Sequence, residues 1–277
     1  MTAAHALVTG GSSGIGRELA RKLAAAGYNV SLVARRTALL KEAAADVASH
    51  FASRGQRVFT YSADVANEQE AEAAVKACIA ELGAPELVIT SAGIAVPGYF
   101  GDIPLEAFER SMAVNYFGSL YVVRAALPVM RARRSGRIVF ISSGAGLMGL
   151  FGYSTYSPSK FALRGLAEAL RAELGADNIG VSIAYPPDTE TPMLEEENKI
   201  KPEETKLITS VVKTWSAEAV ADCIMRGIAR GAFGITPGAA ITMMNRAPGI
   251  TIPLLTWYSG WLVAGFRRKN AKRAKAA

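Results

Sequence analysis

A short run of β-forming residues ending at Thr9 passes without interruption into Gly10-Gly11-Ser12-Ser13-Gly14-Ile15-Gly16, and helix-forming residues 17–26 follow before Gly27. Few folds accommodate that junction. Glycine lets the backbone turn tightly and approach a ligand closely, and the free amides at the start of a helix, backed by its dipole, stabilise a pyrophosphate. Placed after a first strand, the turn predicts a dinucleotide cradle built from Gly10, Ser12, Ser13, Gly14, Ile15 and Gly16.

Downstream, short β-branched runs alternate with longer helical patterns, as in repeated βαβ units with right-handed crossovers. Strands are predicted at residues 6–9, 29–34, 57–62, 87–90, 137–142 and 181–185, with a short one at 233–236. The expected fold class is α/β, a Rossmann-type doubly wound parallel sheet. Half of the 277 residues are hydrophobic, enough for one large core, so no second domain is required. The expected organisation is a nucleotide-binding catalytic domain at 1–237, with a lid near 191–213, and a C-terminal extension at 238–277. There Met, Pro and aromatics replace the regular alternation.

The second predicted strand ends in Ala34-Arg35-Arg36, where an NAD enzyme usually carries an acid for the adenosine ribose. Two guanidinium groups match a ribose 2′-phosphate instead, so NADP(H) is expected, with Arg35 ahead of Arg36; the alternative is a solvated basic helix start. Asp64, with Val65 beside it, follows the third strand and either reaches the adenine or serves as a helix cap or turn residue. After the fourth strand, Ala92 and Gly93 permit close approach of the backbone to a cofactor.

Tyr156 and Lys160, four positions apart, share one helix face, which would let the ammonium favour the phenolate. Together with the glycine turn, Asn115 and Ser142-Ser143, the pair resembles the short-chain dehydrogenase/reductase family over roughly residues 4–237. The resemblance implies a proton relay in which Tyr156 exchanges a proton with the substrate oxygen. It further implies that Lys160 binds the nicotinamide ribose, that a serine orients the oxygen and that Asn115 supports a water relay. A strand points successive side chains in opposite directions, so only one of the two serines faces the site. Ser143, thirteen residues before Tyr156, has the family spacing, and Ser142 serves only if the strand end twists. Asn115 could equally satisfy a buried backbone group. The family's Asn-Asn-Ala-Gly reads Thr90-Ser91-Ala92-Gly93 here, so hydroxyls must stand in for an amide.

Residues 184–192 (Ala-Tyr-Pro-Pro-Asp-Thr-Glu-Thr-Pro), the stretches 195–198 and 201–205, and Gly149-Leu150-Phe151-Gly152 more specifically resemble the 3-ketodihydrosphingosine reductase branch. That implies an oxidoreductase using NADPH to reduce a long-chain amino ketone lipid to dihydrosphingosine in sphingolipid biosynthesis. Pro186 and Thr189 then contact the cofactor, Thr189 at the nicotinamide carboxamide, unless Thr189 caps the helix ahead of the lid. The branch's lysine four residues beyond Arg35 is Leu39 here, and Arg36 is the expected substitute for its charge. Glu195, Glu196 and Glu197 are read as a solvated acidic helix start rather than ligands, and Arg131, Arg133, Arg134 and Arg137 as a solvated helix end. Alternatives to the lipid reductase are a 3-oxoacyl thioester or hydroxysteroid-type short-chain reductase, and a noncatalytic, membrane-associated NADP-binding scaffold.

The formal net charge of +7 could indicate nucleic acid, but Arg267, Arg268, Lys269, Lys272, Arg273 and Lys275 supply six of those charges in one tail, so no nucleic-acid partner is expected. Residues 250–266 carry no charge and include Trp257, Tyr258 and Trp261. With Pro253 and Gly260 as interruptions, this segment is expected to lie in a membrane surface rather than cross it; the alternatives are a cover for the substrate pocket or a dimer contact. Two distant cysteines, Cys78 and Cys223, and no cleavable signal near Met1 predict a cytoplasmic setting, at the cytoplasmic face of a membrane. His5 and His50 alone offer no metal site. The family resemblance adds a homodimer or homotetramer formed through the helix of Tyr156 and its predecessor.

Overall fold

The structure, a computed structural model, describes residues 3–276 and side chains as far as residue 272. Arg273 and Lys275 of the basic tail therefore lie outside the described side chains. Seven parallel strands form the central sheet: β1 (His5–Thr9), β2 (Asn29–Ala34), β3 (Val58–Ser62), β4 (Leu87–Thr90), β5 (Gly136–Ile141), β6 (Ile179–Ala184), and after a two-stranded ribbon of β7 (Thr189–Glu190) with β8 (Trp215–Ser216), β9 (Gly234–Ile235). Their spatial order is β3-β2-β1-β4-β5-β6-β9. The chain reverses its winding between β1 and β4, and a doubly wound sheet presents a ligand crevice at the carboxyl ends of the strands there.

Each central strand is covered on both faces, which is why its residues are apolar at consecutive positions rather than alternately. On β1, Leu7 joins one core, with Val88, Ile138 and Phe140, while Ala6 and Val8 join the other, with Leu32, Ile89 and Val139. The flanking helices are α1 (Gly14–Ala25), α2 (Thr37–Ala48), α3 (Glu68–Leu82), α4 (Leu105–Met112), α5 (Gly118–Arg133), α6 (Tyr156–Leu174) and α9 (Ala217–Ala229). A π-turn at Ala113–Phe117 joins α4 to α5 and carries Asn115. The lid consists of α7 (Pro192–Ile200) and α8 (Glu203–Thr209), rising between the two strands of the β7–β8 ribbon. The extension folds as α10 (Ala239–Arg246) and α11 (Pro248–Ala276).

Helix α11 differs from expectation, because it runs through Pro253 and Gly260 without a break. Pro253 sits in the second turn, where it forfeits one bond, to the carbonyl of the exposed Gly249, and water can serve that carbonyl instead. Even so, among the described residues no helix is long and apolar enough to cross a membrane.

Candidate active site

The glycine turn is closed by contacts only glycine permits. Gly10 holds φ +67° and lies against the Ser91–Ala92 backbone, where a Cβ would come within 2.7 Å of the Ala92 nitrogen; a Cβ on Gly16 would stand 2.5 Å from the Gly10 carbonyl oxygen. Thr9 steadies the facing loop, its hydroxyl accepting from the Ser91 and Ala92 amides at 3.2 Å each. Thr90, by contrast, keeps a buried hydroxyl without a partner among the described residues, so the support expected from it comes from Thr9. The cleft floor is shaped by Gly10, Ser12, Ser13, Gly14, Ile15 and Gly16 at the start of α1.

Along the cleft wall, Arg35 and Arg36 are exposed, and Asp64 is taken by Arg110 and by the Ala66 amide. Burial opposes ionisation of Asp64, but those hydrogen bonds and Arg35 hold its carboxyl below the usual range. Asp64 is thus a turn residue rather than a cap, since Asn67 caps α3 by accepting from the Glu70 amide at 3.1 Å. Val65, Ala92, Gly93, Pro186 and Thr189 line the same cleft. The capping alternative for Thr189 fails. Its hydroxyl donates to the Pro187 carbonyl at 2.8 Å, and Thr191 caps α7.

Tyr156 opens α6, and Lys160 follows one turn later with its ammonium 5.4 Å from the phenol ring centroid. Lys160 donates to the Ile141 carbonyl at 3.0 Å, which fixes the ammonium at the end of β5. Burial lowers that ammonium to about 8, against the attraction of Glu197. The phenol departs from expectation, because burial, followed by the Glu197 carboxylate, raises it well above its ordinary value; the Ser143 hydroxyl pulls the other way. A phenol so placed keeps its proton at neutral pH, the state a proton donor needs.

The two serines part company at the end of β5. Ser142 turns inward and donates to the Lys160 carbonyl at 3.0 Å, whereas Ser143 caps a short turn, accepting from the Ala145 amide at 3.2 Å, and stands beside Tyr156. Asn115 is fully buried, its side chain accepting from the Ile94 amide at 2.8 Å and donating to the Ile94 carbonyl and to Ser159 at 3.0 and 2.8 Å. It therefore pins the loop carrying Gly93, whose backbone faces both Asn115 and the Lys160 ammonium.

Glu197 overturns the expectation of a solvated acidic helix start. Glu195 and Glu196 are exposed, but Glu197 is only 9% exposed and lines the cleft. Tyr153 donates to it at 2.5 Å, and Lys201, buried in turn, lies 3.9 Å from it and 3.3 Å from Asp188. Only the tertiary fold separates the third glutamate from its neighbours. The one sequence signal was Lys201, four residues on along the same helix face. Of the arginines at the other end of the molecule, Arg131 and Arg133 are exposed and pair with Asp177 and Glu86, as a solvated helix end should, but Arg137 is tucked against Ser182, donating at 2.9 Å.

Beside Ser143 a second, apolar cleft opens, walled by Met148, Leu150, Ile208, Met244, Leu255 and Leu262. It shares Ser143, Pro186 and Asp188 with the first cleft. Helix α11 supplies Leu255, Tyr258 and Leu262 to this wall, while Ile250, Leu254, Trp257 and Trp261 form an exposed stripe on its other side. Arg267 ties α11 to the lid through Glu204 at 3.0 Å, and Glu204 also takes the Tyr99 hydroxyl at 2.8 Å. No group of acidic, histidine or cysteine side chains suited to a metal occurs among the described residues.

Residues 4–202 match the family described as short chain dehydrogenase. A 3-ketodihydrosphingosine reductase from Bos taurus is 42% identical over 243 residues, 87% of this chain and 73% of that protein. A 3-dehydrosphinganine reductase from Danio rerio is 44% identical over 234 residues, 84% and 70% of the two chains. Among solved structures, levodione reductase superposes with a TM-score of 0.77 at 25% identity, covering 85% of this chain and 96% of its own. The parallel sheet agrees with these matches: the chain belongs to the short-chain dehydrogenase family, and is an oxidoreductase that works with a nicotinamide cofactor.

Proposed function

We propose that the protein uses NADPH to reduce 3-ketodihydrosphingosine to dihydrosphingosine. The observation that carries the substrate class is the apolar cleft that begins at Ser143, beside Tyr156, and runs beneath α11. A long alkyl chain lying there brings a carbonyl near its head to the phenol. The names of the similar proteins favour this ketone over other carbonyl lipids.

NADPH, when bound, supplies the hydride that attacks the carbonyl carbon. Ser143 orients the carbonyl oxygen, and Tyr156 gives it the proton that completes the alcohol. Lys160 holds positive charge behind the phenol, and the nicotinamide ribose is assigned to it. Asn115 supports the proton path back to solvent by fixing the loop against which Lys160 sits. The fit of the cofactor rests on the cradle, whose glycines leave no room for a side chain. Its 2′-phosphate is assigned to Arg35, with Arg36 adding charge, because no carboxylate stands at the end of β2 and Asp64 is occupied by Arg110.

The direct test is NADPH oxidation by the purified full chain with 3-ketodihydrosphingosine, a 3-oxoacyl thioester and a ketosteroid side by side. The amino ketone should show the highest kcat/KM. Faster turnover of either competitor would replace the substrate assignment, and cofactor binding without turnover of any of them would favour the scaffold. Arg35→Ala should lower kcat/KM with NADPH by about 10–100-fold and change that with NADH less than about threefold, as expected for loss of a charge-assisted phosphate contact. Equal losses with both cofactors would remove Arg35 from phosphate recognition.

The same proposal places the enzyme in the cytoplasm at a membrane face, through α11, and includes a homodimer or homotetramer across α5 and α6, where Phe117, just ahead of α5, and Phe161, on α6, are exposed. Sedimentation would read the assembly, and a monomer at micromolar concentration would end that part.

A further inference from the structure

Within the active cleft the Glu197 carboxylate neither gives nor takes the transferred proton, yet it is held there at some cost. Burying a carboxylate is unfavourable unless charges and hydrogen bonds compensate it. Glu197 lies on the lid helix α7 and accepts from the Tyr153 hydroxyl on Oε2, with the Lys201 ammonium 3.9 Å from the same oxygen. Lys201 meets Asp188 through Oδ2. The other oxygen of each acid, Glu197 Oε1 and Asp188 Oδ1, has no partner among the described residues, and both side chains line the cleft that contains Tyr156. Lys201 is sealed at 1% side-chain exposure, so it lies behind the two acids as a fixed counter-charge. Lys160 is the other cation that Glu197 feels, but its ammonium is hydrogen-bonded to the Ile141 carbonyl rather than to either acid, so the two free oxygens are left to face the cleft.

We propose that Glu197, with Asp188 beside it, binds the ammonium group next to the ketone of the substrate and thereby selects amino ketones over plain ketones. This rests on the amino ketone reading given above. The carbon bearing nitrogen in that substrate is bonded to the carbonyl carbon, so its ammonium must lie within a few ångströms of the oxygen held by Ser143 and Tyr156. Tyr153 bridges the two halves, its ring 5.7 Å from that of Tyr156 and its hydroxyl on Glu197. Burial raises the Glu197 carboxyl, against the Tyr153 hydrogen bond and the Lys201 charge, and a cation bound beside it would favour the charged form. The alkyl chain then runs past Ser143 into the apolar cleft, which Asp188 borders where it joins the first cleft.

Glu197→Gln tests this, because the amide oxygen can still accept from Tyr153 and hold the lid while the negative charge is gone. Rates would be measured with 3-ketodihydrosphingosine and with a 1-hydroxy-3-ketone of equal chain length lacking the amine. The expected result is a loss of about 10–100-fold in kcat/KM for the amino ketone, mostly through KM, with less than about threefold change for the other ketone. Glu195→Gln, on the exposed face of the same helix, should change neither. Equal losses of the Glu197 variant on both ketones would make Glu197 a lid latch and overturn the proposal, as would an unchanged KM for the amino ketone. Should the unmodified enzyme itself prefer the ketone without the amine, the substrate assignment would fail, whatever the variant does.

Discussion

Replacement of Tyr156 by Phe is expected to lower kcat by about 10²–10⁴-fold, the usual worth of a positioned general acid. The loss should be specific to chemistry. Phenylalanine preserves the ring packed 5.7 Å from Tyr153 and 5.4 Å from the Lys160 ammonium, so the start of α6 keeps its shape. NADPH affinity, measured by fluorescence titration, should therefore stay within about threefold, since the glycine cradle and Arg35 are untouched. Near-normal turnover of 3-ketodihydrosphingosine by the variant would remove Tyr156 as proton donor. Loss of cofactor affinity together with rate would make the residue structural.

The pH profile separates Tyr156 from its neighbour. Burial lowers Lys160, so its positive charge is present below about pH 8 and lost above it. Tyr156 moves the other way and keeps its proton throughout that range. In the direction of ketone reduction, kcat/KM should accordingly be level at neutral pH and fall through about 8. The proton lost there belongs to the lysine, and a fall beginning only near the ordinary phenol range would contradict that assignment.

The strands, the cradle and the Tyr156–Lys160 pair were legible because each depends on local spacing. The glycine turn needs residues adjacent in sequence, and an ammonium one helical turn from a phenol needs only α-helix geometry. Adjacent Ser142 and Ser143 were separable in principle by strand alternation, and the structure does send their hydroxyls to different partners. Glu197 was not legible, since three consecutive glutamates at a helix start give one local signal and only packing of α7 against Tyr153 buries the third. The acidity of Tyr156 was misjudged for the same reason: sequence shows the cation four residues away, but not the burial or the distant carboxylate that outweigh it. Pro253 misled differently. A proline early in a helix can be accommodated when the carbonyl it strands is exposed, and exposure is a property of the folded molecule.

Substituting both Trp257 and Trp261 by Glu should all but abolish partition of the protein onto vesicles containing anionic lipid, while leaving turnover of a short, water-soluble ketone intact. Two functions considered for the C-terminal segment fall on different faces of one helix, which meet where Tyr258 stacks on Trp261. Leu255, Tyr258 and Leu262 close the apolar cleft, and Ile250, Leu254, Trp257 and Trp261 point away from it. Arg268, Lys269 and Lys272 are exposed further along α11, and each basic side chain near an anionic surface adds about 1 kcal/mol of attraction. Burial of a large apolar side chain contributes about 1.5–3 kcal/mol, so losing two should cost about 10²–10⁴-fold in partition. Deleting residues 250–277 would also abolish partition, but it removes a cleft wall and the Arg267–Glu204 tie to the lid, and turnover should fall with it. The double substitution isolates the outer face. Vesicle binding unchanged in that variant would leave α11 as a pocket cover alone, and the substrate would then have to reach Ser143 by a route that does not begin in the bilayer.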